Sequence, residues 1–331
     1  MWGTGGRLQM QDLDPSTPWL RETPLPISVI VAVRNEAGNL PRCLESLRAI
    51  GEVCVIDSHS TDETALIAQS YGARVIQFDY QGGWPKKRQW AMDTLSLAHD
   101  WILLLDADEA LTPELVGEIR RAIGNAEIDG YYIALRMYFL GRVLRHGDAD
   151  FYKLSLFRRG KGRFECRLQG QDASMCDMEV HEHVVVPGPT AKLEHPLVHR
   201  NLDSLSRYIQ KHDSYSNWEA GVWAQGNASR GELAPALRGT QAQRRRWLKS
   251  KFLGLIGSPV LYFLYRYLVR LGFLDGRAGL IYAGFQAIQL FHIKAKLFEA
   301  RQGSQNPDRR RPEAEPGGAG VRLEASSRAV R

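Results

Sequence analysis

Cysteine is scarce in this chain, with four among 331 residues (Cys43, Cys54, Cys166, Cys176) and no two in a C-x-x-C pair. Three of them stand in or beside apolar runs. That setting suits reduced thiols and argues against a disulfide framework. The first 26 residues carry repeated prolines but no apolar core of the kind a secretory signal needs, so the chain is expected to stay on the side where it is made. No nucleic-acid-binding signature is present, and no internal repeat. The net charge of +6 and pI near 9.1 are therefore read as favouring a nucleotide or an anionic lipid over DNA or RNA. No Gly-rich loop bearing Arg and Lys follows the first apolar run, which argues against a nucleotidyltransferase. Long hydrophobic runs are also few. Phe252–Leu274 is long enough to cross a bilayer of about 30 Å, but Gly254, Gly257, Pro259, Arg266 and Arg270 interrupt it. Charges at a bilayer centre are costly, so a clean transmembrane helix is not expected.

What is present, from residue 27 onward, is a rhythm of short apolar run, polar turn and amphipathic stretch. Ile27–Val33 (ISVIVAV), Val53–Ile56, Arg74–Phe78 and Trp101–Leu105 (WILLL) are predicted strands. The first and last are apolar throughout, as strands covered on both faces are. Between them, helical spacing appears over Asn39–Arg48 and Lys86–Leu97, and a further helix starts at Pro113 and runs to about Ile123. Ser60-Thr-Asp-Glu63 has the form of a capping box for the helix that ends near Gly72. Alternation of this kind predicts an α/β domain with a parallel sheet. In such sheets ligands collect beyond the carboxyl ends of the strands. Those ends carry Arg34-Asn35-Glu36, Asp57-Ser58 and Asp106-Ala107-Asp108.

Asp106-Ala107-Asp108-Glu109 directly after WILLL is the strongest chemical signal. Carboxylates at i and i+2 can divide their work, one toward a ribose or a metal and the other on a divalent cation that steadies a departing diphosphate. The competing reading is an acidic turn capping the helix at Pro113. Asp57 is a candidate to accept the imide N–H of a uracil-type base, with Arg34 and Glu36 framing base and ribose. The competing reading is a helix cap shared with Ser60 and Asp62. Lys86, Lys87 and Arg88 open a helix after Gly82-Gly83-Trp84-Pro85, where they either reach a diphosphate or form a solvated basic face.

The run SVIVAVRNEAGNLPRCLESL, then VIDSHSTDET, then ILLLDADE resembles the nucleotide-binding half of family 2 glycosyltransferases. The later stretches EVHEH, YIQKHDSYSNWEA and LVRLGFLDGRAG resemble, more loosely, the branch that includes lipopolysaccharide-core β-glucosyltransferases. The resemblance implies a GT-A fold, a mixed and mostly parallel sheet flanked by helices, and a nucleotide-sugar donor, with UDP-glucose the first to try. It implies nucleotide contacts from Arg34, Glu36 and Asp57, with Asp106 and Asp108 serving the nucleotide and a Mg²⁺ or Mn²⁺ ion. It further implies a general base downstream, an ionised carboxylate that takes the proton of the acceptor hydroxyl. Glu182 in His181-Glu182-His183 is the choice, with Glu179 and Asp177 as rivals. Alternation of polar residues at 177, 179, 181 and 183 also fits a solvated strand. A zinc pair of the two histidines lacks a third ligand of suitable spacing. His199 is a further candidate for the metal or the diphosphate.

The expected organisation is a flexible leader over 1–26 and a catalytic domain over 27–201, with nucleotide-binding and acceptor halves at 27–125 and 126–201. A helical extension over 202–300 and a disordered tail over 301–331 follow. The aromatic, Arg-bearing segment LYFLYRYLVR fits an interfacial helix, with Arg244–Arg246 near anionic lipid and a second amphipathic helix over 278–299. That places the chain peripherally or monotopically on the cytoplasmic face of the cytoplasmic membrane, acting on a glycan or lipid-linked acceptor. The alternative use of the helices is a homodimer interface. The rival activities are a polyprenyl-phosphate sugar synthase and a non-catalytic sugar-nucleotide-binding scaffold.

Overall fold

The computed structural model describes residues 23–147, 151–171, 175–179, 182–200, 204–226 and 233–305. Residues 1–22 of the expected leader over 1–26, residues 306–331 of the expected tail over 301–331, and His181 lie outside the described residues. The first half alternates strand and helix: β1 (Leu25–Val33), α1 (Leu40–Glu45), β2 (Ile50–Asp57), α2 (Thr64–Ser70), β3 (Arg74–Gln77), α3 (Lys87–Thr94), β4 (Trp101–Asp106), β5 (Glu109–Ala110) and α4 (Pro113–Ala122). The strands β3, β2, β1 and β4 lie side by side in that order, all parallel. Odd residues of β1 (Ile27, Val29, Val31, Val33) and of β4 (Trp101, Leu103, Leu105) bury into one core with α1 and α4. The even ones (Ile30; Ile102, Leu104) bury into a second core on the opposite face. A strand apolar throughout is thus a strand with a core on each side, which is why no alternation was visible.

The second half supplies β6 (Gly130–Phe139), β7 (Arg142–Val143), β8 (Phe151–Arg158), β9 (Arg163–Phe164), β10 (Val184–Val185), β11 (Thr190–Lys192) and β12 (Leu197–Arg200). β8 enters antiparallel between β4 and β6, and β12 joins β6 in parallel. β5, three residues past β4, pairs antiparallel with β12 and sets His199 opposite Glu109. The expectation of a mixed, mostly parallel sheet holds. The expected capping box is not formed. Glu63, not Ser60, is the residue before α2, and Ser60 turns its hydroxyl to Asp57 instead. Gly72 does close α2, with a left-handed φ of 77° that a side chain would resist.

Helix α5 (Leu205–Ala224) packs along α8 (Gly276–Gln305), and Phe139 of β6 meets Tyr208, Tyr282 and Phe285 between them. α6 (Gln241–Gly254) begins with a formed capping box of Thr240 and Gln243. The segment 252–274 is not the one interfacial helix expected. Gly257 at φ 72° and Pro259 start a fresh short helix, α7 (Ser258–Leu264), and a π-helical turn (Tyr265–Val269) and a 3-10 turn (Gly272–Asp275) follow. Among the described residues no helix is long and apolar enough to cross a membrane. Arg266 is buried, stacked between Tyr262 and Tyr282, and Arg246 pairs with buried Glu165, so neither cation is turned to a headgroup.

Candidate active site

A cavity of about 1090 Å³ opens beyond the carboxyl ends of β1, β2 and β4. Its other walls are the end of β6, one face of α5, Tyr282 and Gln286 of α8, and the segment Met175–Met178. Of the residues singled out in the sequence, Arg34, Glu36, Asp106, Asp108 and His199 line it. Lys87 and Asp177 line it too, while Asp57, Lys86, Arg88, Glu179 and Glu182 stand outside the lining.

Asp57 is 1% exposed and is consumed by its own turn. Its carboxylate accepts from the Ser60 amide (3.1 Å), the Ser60 hydroxyl (2.5 Å) and Gln77 Nε2 (3.1 Å). Asp57 therefore fixes a turn and does not cap the helix that follows. It holds the turn that carries Ser58 and His59 into the cavity, so its contact with a base would require that turn to open. Glu36 faces the cavity with its carboxylate shared among Lys211 (2.8 Å), Arg207 (3.4 Å) and Asn39 Nδ2 (2.7 Å). Arg207 and Lys211 sit one turn apart on α5 and both line the cavity. Their i, i+4 spacing was readable in YIQKH and its preceding Arg, yet only the approach of α5 to the Arg34–Glu36 segment after β1 gives it meaning.

At the end of β4 the two aspartates are treated differently. Asp106 is neutralised twice, by Lys153 of β8 (3.1 Å) and by Arg88 of α3. Glu109, fully buried, holds the arrangement, accepting from the Asp106 amide (2.9 Å) and from Lys153 (3.2 Å). Burial lowers the proton affinity of Lys153, and Glu109 opposes that. Asp108 has His199 beside it instead, Oδ2 to Nε2 3.4 Å, while buried His199 Nδ1 has no hydrogen-bond partner. Among the described residues no three His, Cys, Asp or Glu side chains converge as a metal site. One carboxylate oxygen and one imidazole nitrogen nevertheless fit a hard divalent cation that keeps its remaining positions for diphosphate oxygens and water.

The basic triplet that opens α3 is no solvated face. Lys86, Lys87 and Arg88 are 0%, 1% and 3% exposed. Lys86 pairs with Glu182 (2.9 Å), Lys87 with Asp177 (3.2 Å), and Arg88 with Asp106. Glu179 accepts from the Arg88 and Gln89 amides at the start of α3 (3.2 and 2.8 Å). Burial pushes the Glu182 carboxyl up from 4.5 to about 7 against the pull of Lys86. Burial works the same way on Asp177, but Lys87, the Ser58 hydroxyl and Arg34 outweigh it and hold that carboxyl below its usual value. All four cysteines are free thiols.

The chain matches the Glycosyl transferase family 2 profile over residues 28–181. It is 28% identical over 293 residues to the lipopolysaccharide core biosynthesis glycosyltransferase LpsC of Rhizobium meliloti (strain 1021), covering 86% of this chain and 96% of that protein. An uncharacterized glycosyltransferase of Rickettsia felis is 39% identical over 201 residues, 59% of this chain and 69% of that protein. Among solved structures, glucosyl-3-phosphoglycerate synthase from Mycobacterium tuberculosis, in complex with Mn²⁺, UDP and phosphoglyceric acid, overlaps at a TM-score of 0.36. Its identity is 17% over 59% of this chain and 78% of that one, a likeness too distant to carry residue roles. The strand-end carboxylates, the order of the motifs and the Rickettsia felis relative agree: the chain is a glycosyltransferase, and its residues 28–181 match family 2.

Proposed function

We propose that this glycosyltransferase displaces a nucleoside diphosphate from a sugar with inversion, passing the sugar to a lipid-linked or lipopolysaccharide-type glycan. The observation that carries the reading is the pairing of Asp108 with His199 in a cavity that also holds Arg34, Arg207 and Lys211. One wall suits a cation and the other an anion, as a metal-bound diphosphate requires. A Mg²⁺ or Mn²⁺ ion at Asp108 and His199 would supply charge stabilisation for the leaving diphosphate. Asp106, its charge compensated by Lys153 and Arg88, is left to orient the donor by hydrogen bonding. UDP-glucose is the donor to which the motif resemblance points. The acceptor class follows from the likeness to LpsC.

For the acceptor proton the proposed base is Glu182, whose carboxyl near 7 has the affinity that general-base catalysis at neutral pH favours. Its ion pair with Lys86 must open for an acceptor hydroxyl to reach it. That burial also favours a second reading, a polyprenyl-phosphate sugar synthase, because a phosphate nucleophile needs no strong base. Glu182→Gln separates the two, since it disables the first enzyme and spares the second. The common test is turnover: slow release of nucleoside diphosphate from one sugar nucleotide, abolished by chelator.

The site of action is proposed to be an anionic membrane surface on the cytoplasmic side. Of the large apolar side chains exposed among the described residues, most lie between Leu255 and Phe298, with Ile256 at 99% and Val269 at 70%. Between residues 233 and 305 there are twelve Lys or Arg and only two Asp or Glu, and the excess remains basic after Arg246, Lys249, Arg266 and Lys296, which are held by partners inside the fold, are set aside. Apolar surface with that charge balance suits anionic lipid better than a second copy of an equally basic face.

A further inference from the structure

Three consecutive cations at the start of a helix, all buried, need three anions. The chain supplies them largely from one short stretch, Asp177 to Glu182, together with Asp106. Only one of the three cations, Lys87, lines the large cavity, and the carboxylate set against it, Asp177, lines it too. Lys87 Nζ donates to the Val33 carbonyl (2.7 Å) at the end of β1 and pairs with Asp177 at 3.2 Å. Asp177 also takes the Ser58 hydroxyl at the end of β2, and its own carbonyl accepts from the Lys87 amide (3.1 Å). Arg34, at the end of β1, lies close enough to act on the same carboxylate. An ammonium and a hydroxyl, drawn from the start of α3 and the end of β2, thus converge on the Asp177 carboxylate, with the Arg34 guanidinium acting on it from the end of β1. That is the set of donors a phosphate group would use at the carboxyl edge of a parallel sheet.

We propose that Asp177 is an internal stand-in for a donor phosphate, and that Lys87 is a diphosphate-binding residue which the donor wins by displacing Asp177. The inference rests on the nucleotide-sugar reading above and adds to it a named phosphate contact and a competitor for it. The role expected for Lys86 passes to its neighbour, because Lys86 stands outside the cavity against Glu182. The exchange costs little in charge, since one anion replaces another beside a cation that is never left bare. It also links the two substrates. Asp177 and Glu182 are five residues apart and meet the adjacent cations Lys87 and Lys86, so a donor that moves the first disturbs the cover of the second.

Titration of UDP, GDP and ADP, each with its parent nucleoside and with Mg²⁺ present, tests this on the full chain. Asp177→Asn is expected to tighten the best-binding diphosphate roughly fivefold or more, the lower end of ordinary coupling between competing sites. The parent nucleoside should bind as before. Lys87→Met, which keeps the unbranched stem and removes the charged end, is expected to lower the preference for diphosphate over nucleoside whether or not Asp177→Asn folds. In the Lys87→Met background, Asp177→Asn should then change nothing. Diphosphate binding by Asp177→Asn equal to or weaker than wild type overturns the proposal, as does a gain shared equally by the nucleoside. An unchanged preference in Lys87→Met overturns it as well. If wild type binds none of the three diphosphates, the donor reading falls and this inference with it. If wild type binds one and the variants behave alike, only the inference falls.

Discussion

Glu182 offers the sharpest pH test of the proposed chemistry. Its carboxyl is raised from 4.5 to about 7, chiefly by burial, with Lys86 opposing at 2.9 Å. At roughly 1.4 kcal/mol per pH unit, that environment favours the protonated form by about 3 kcal/mol relative to an ordinary glutamate. A base that titrates near 7 is about nine-tenths ionised at pH 8 and about one-tenth at pH 6. The donor-saturated kcat/KM for acceptor should therefore fall about tenfold from pH 8 to pH 6, with a limb of unit slope. Glu182→Gln should lose roughly 100-fold or more of the rate at pH 8, the ordinary yield of general-base catalysis, and lose the limb with it. Stability carries a matching signature. A folded-state affinity raised above the unfolded one stabilises the fold fully below pH 4.5, and that contribution is lost as pH rises through about 7. Urea unfolding of wild type should weaken across that window, and the Glu182→Gln protein should be flatter. A flat kcat/KM between pH 6 and 8, with full activity in Glu182→Gln, would refute the base assignment and promote the phosphate-acceptor reading.

Two further outcomes follow from the site and its surroundings. Glu109→Ala removes a fully buried carboxylate from Lys153 and from the Asp106 amide, and should cost about 3–5 kcal/mol in denaturant unfolding; a loss under about 1 kcal/mol would mean that Glu109 does not hold the strand end, since that is all a screened surface pair is worth. Ile256→Asp with Val269→Asp should abolish sedimentation with phosphatidylglycerol vesicles while leaving soluble turnover intact, and retained sedimentation would move the apolar face of the C-terminal helices to a subunit contact.

The first four strands were legible because buried strands announce themselves as unbroken apolar runs, and their polar ends followed directly, whereas their order in the sheet was not. The strand-end residues Arg34, Glu36, Asp106 and Asp108 were legible for the same reason. What the linear sequence hid was pairing. Nothing in Lys86-Lys87-Arg88 says that each cation is met by a carboxylate about ninety residues downstream or at the end of β4, because such contacts exist only once the second half folds over α3. Lys153 and the α5 pair Arg207 and Lys211 escaped notice likewise, being ordinary basic residues until β8 and α5 dock. The break in 252–274 was half visible. Gly257 and Pro259 were seen as interruptions, but the left-handed turn that separates α6 from α7 is a tertiary choice.

The central claim is metal-assisted departure of a nucleoside diphosphate from a cavity floored by Asp108 and His199. Purified protein, given a panel of sugar nucleotides with Mn²⁺ or Mg²⁺ and with lipid present, tests it most directly. The account expects slow release of nucleoside diphosphate from one donor, lost on chelation and lost in Asp108→Ala. Well-folded protein that neither hydrolyses nor binds any donor, or an Asp108→Ala variant as active as wild type, would contradict it.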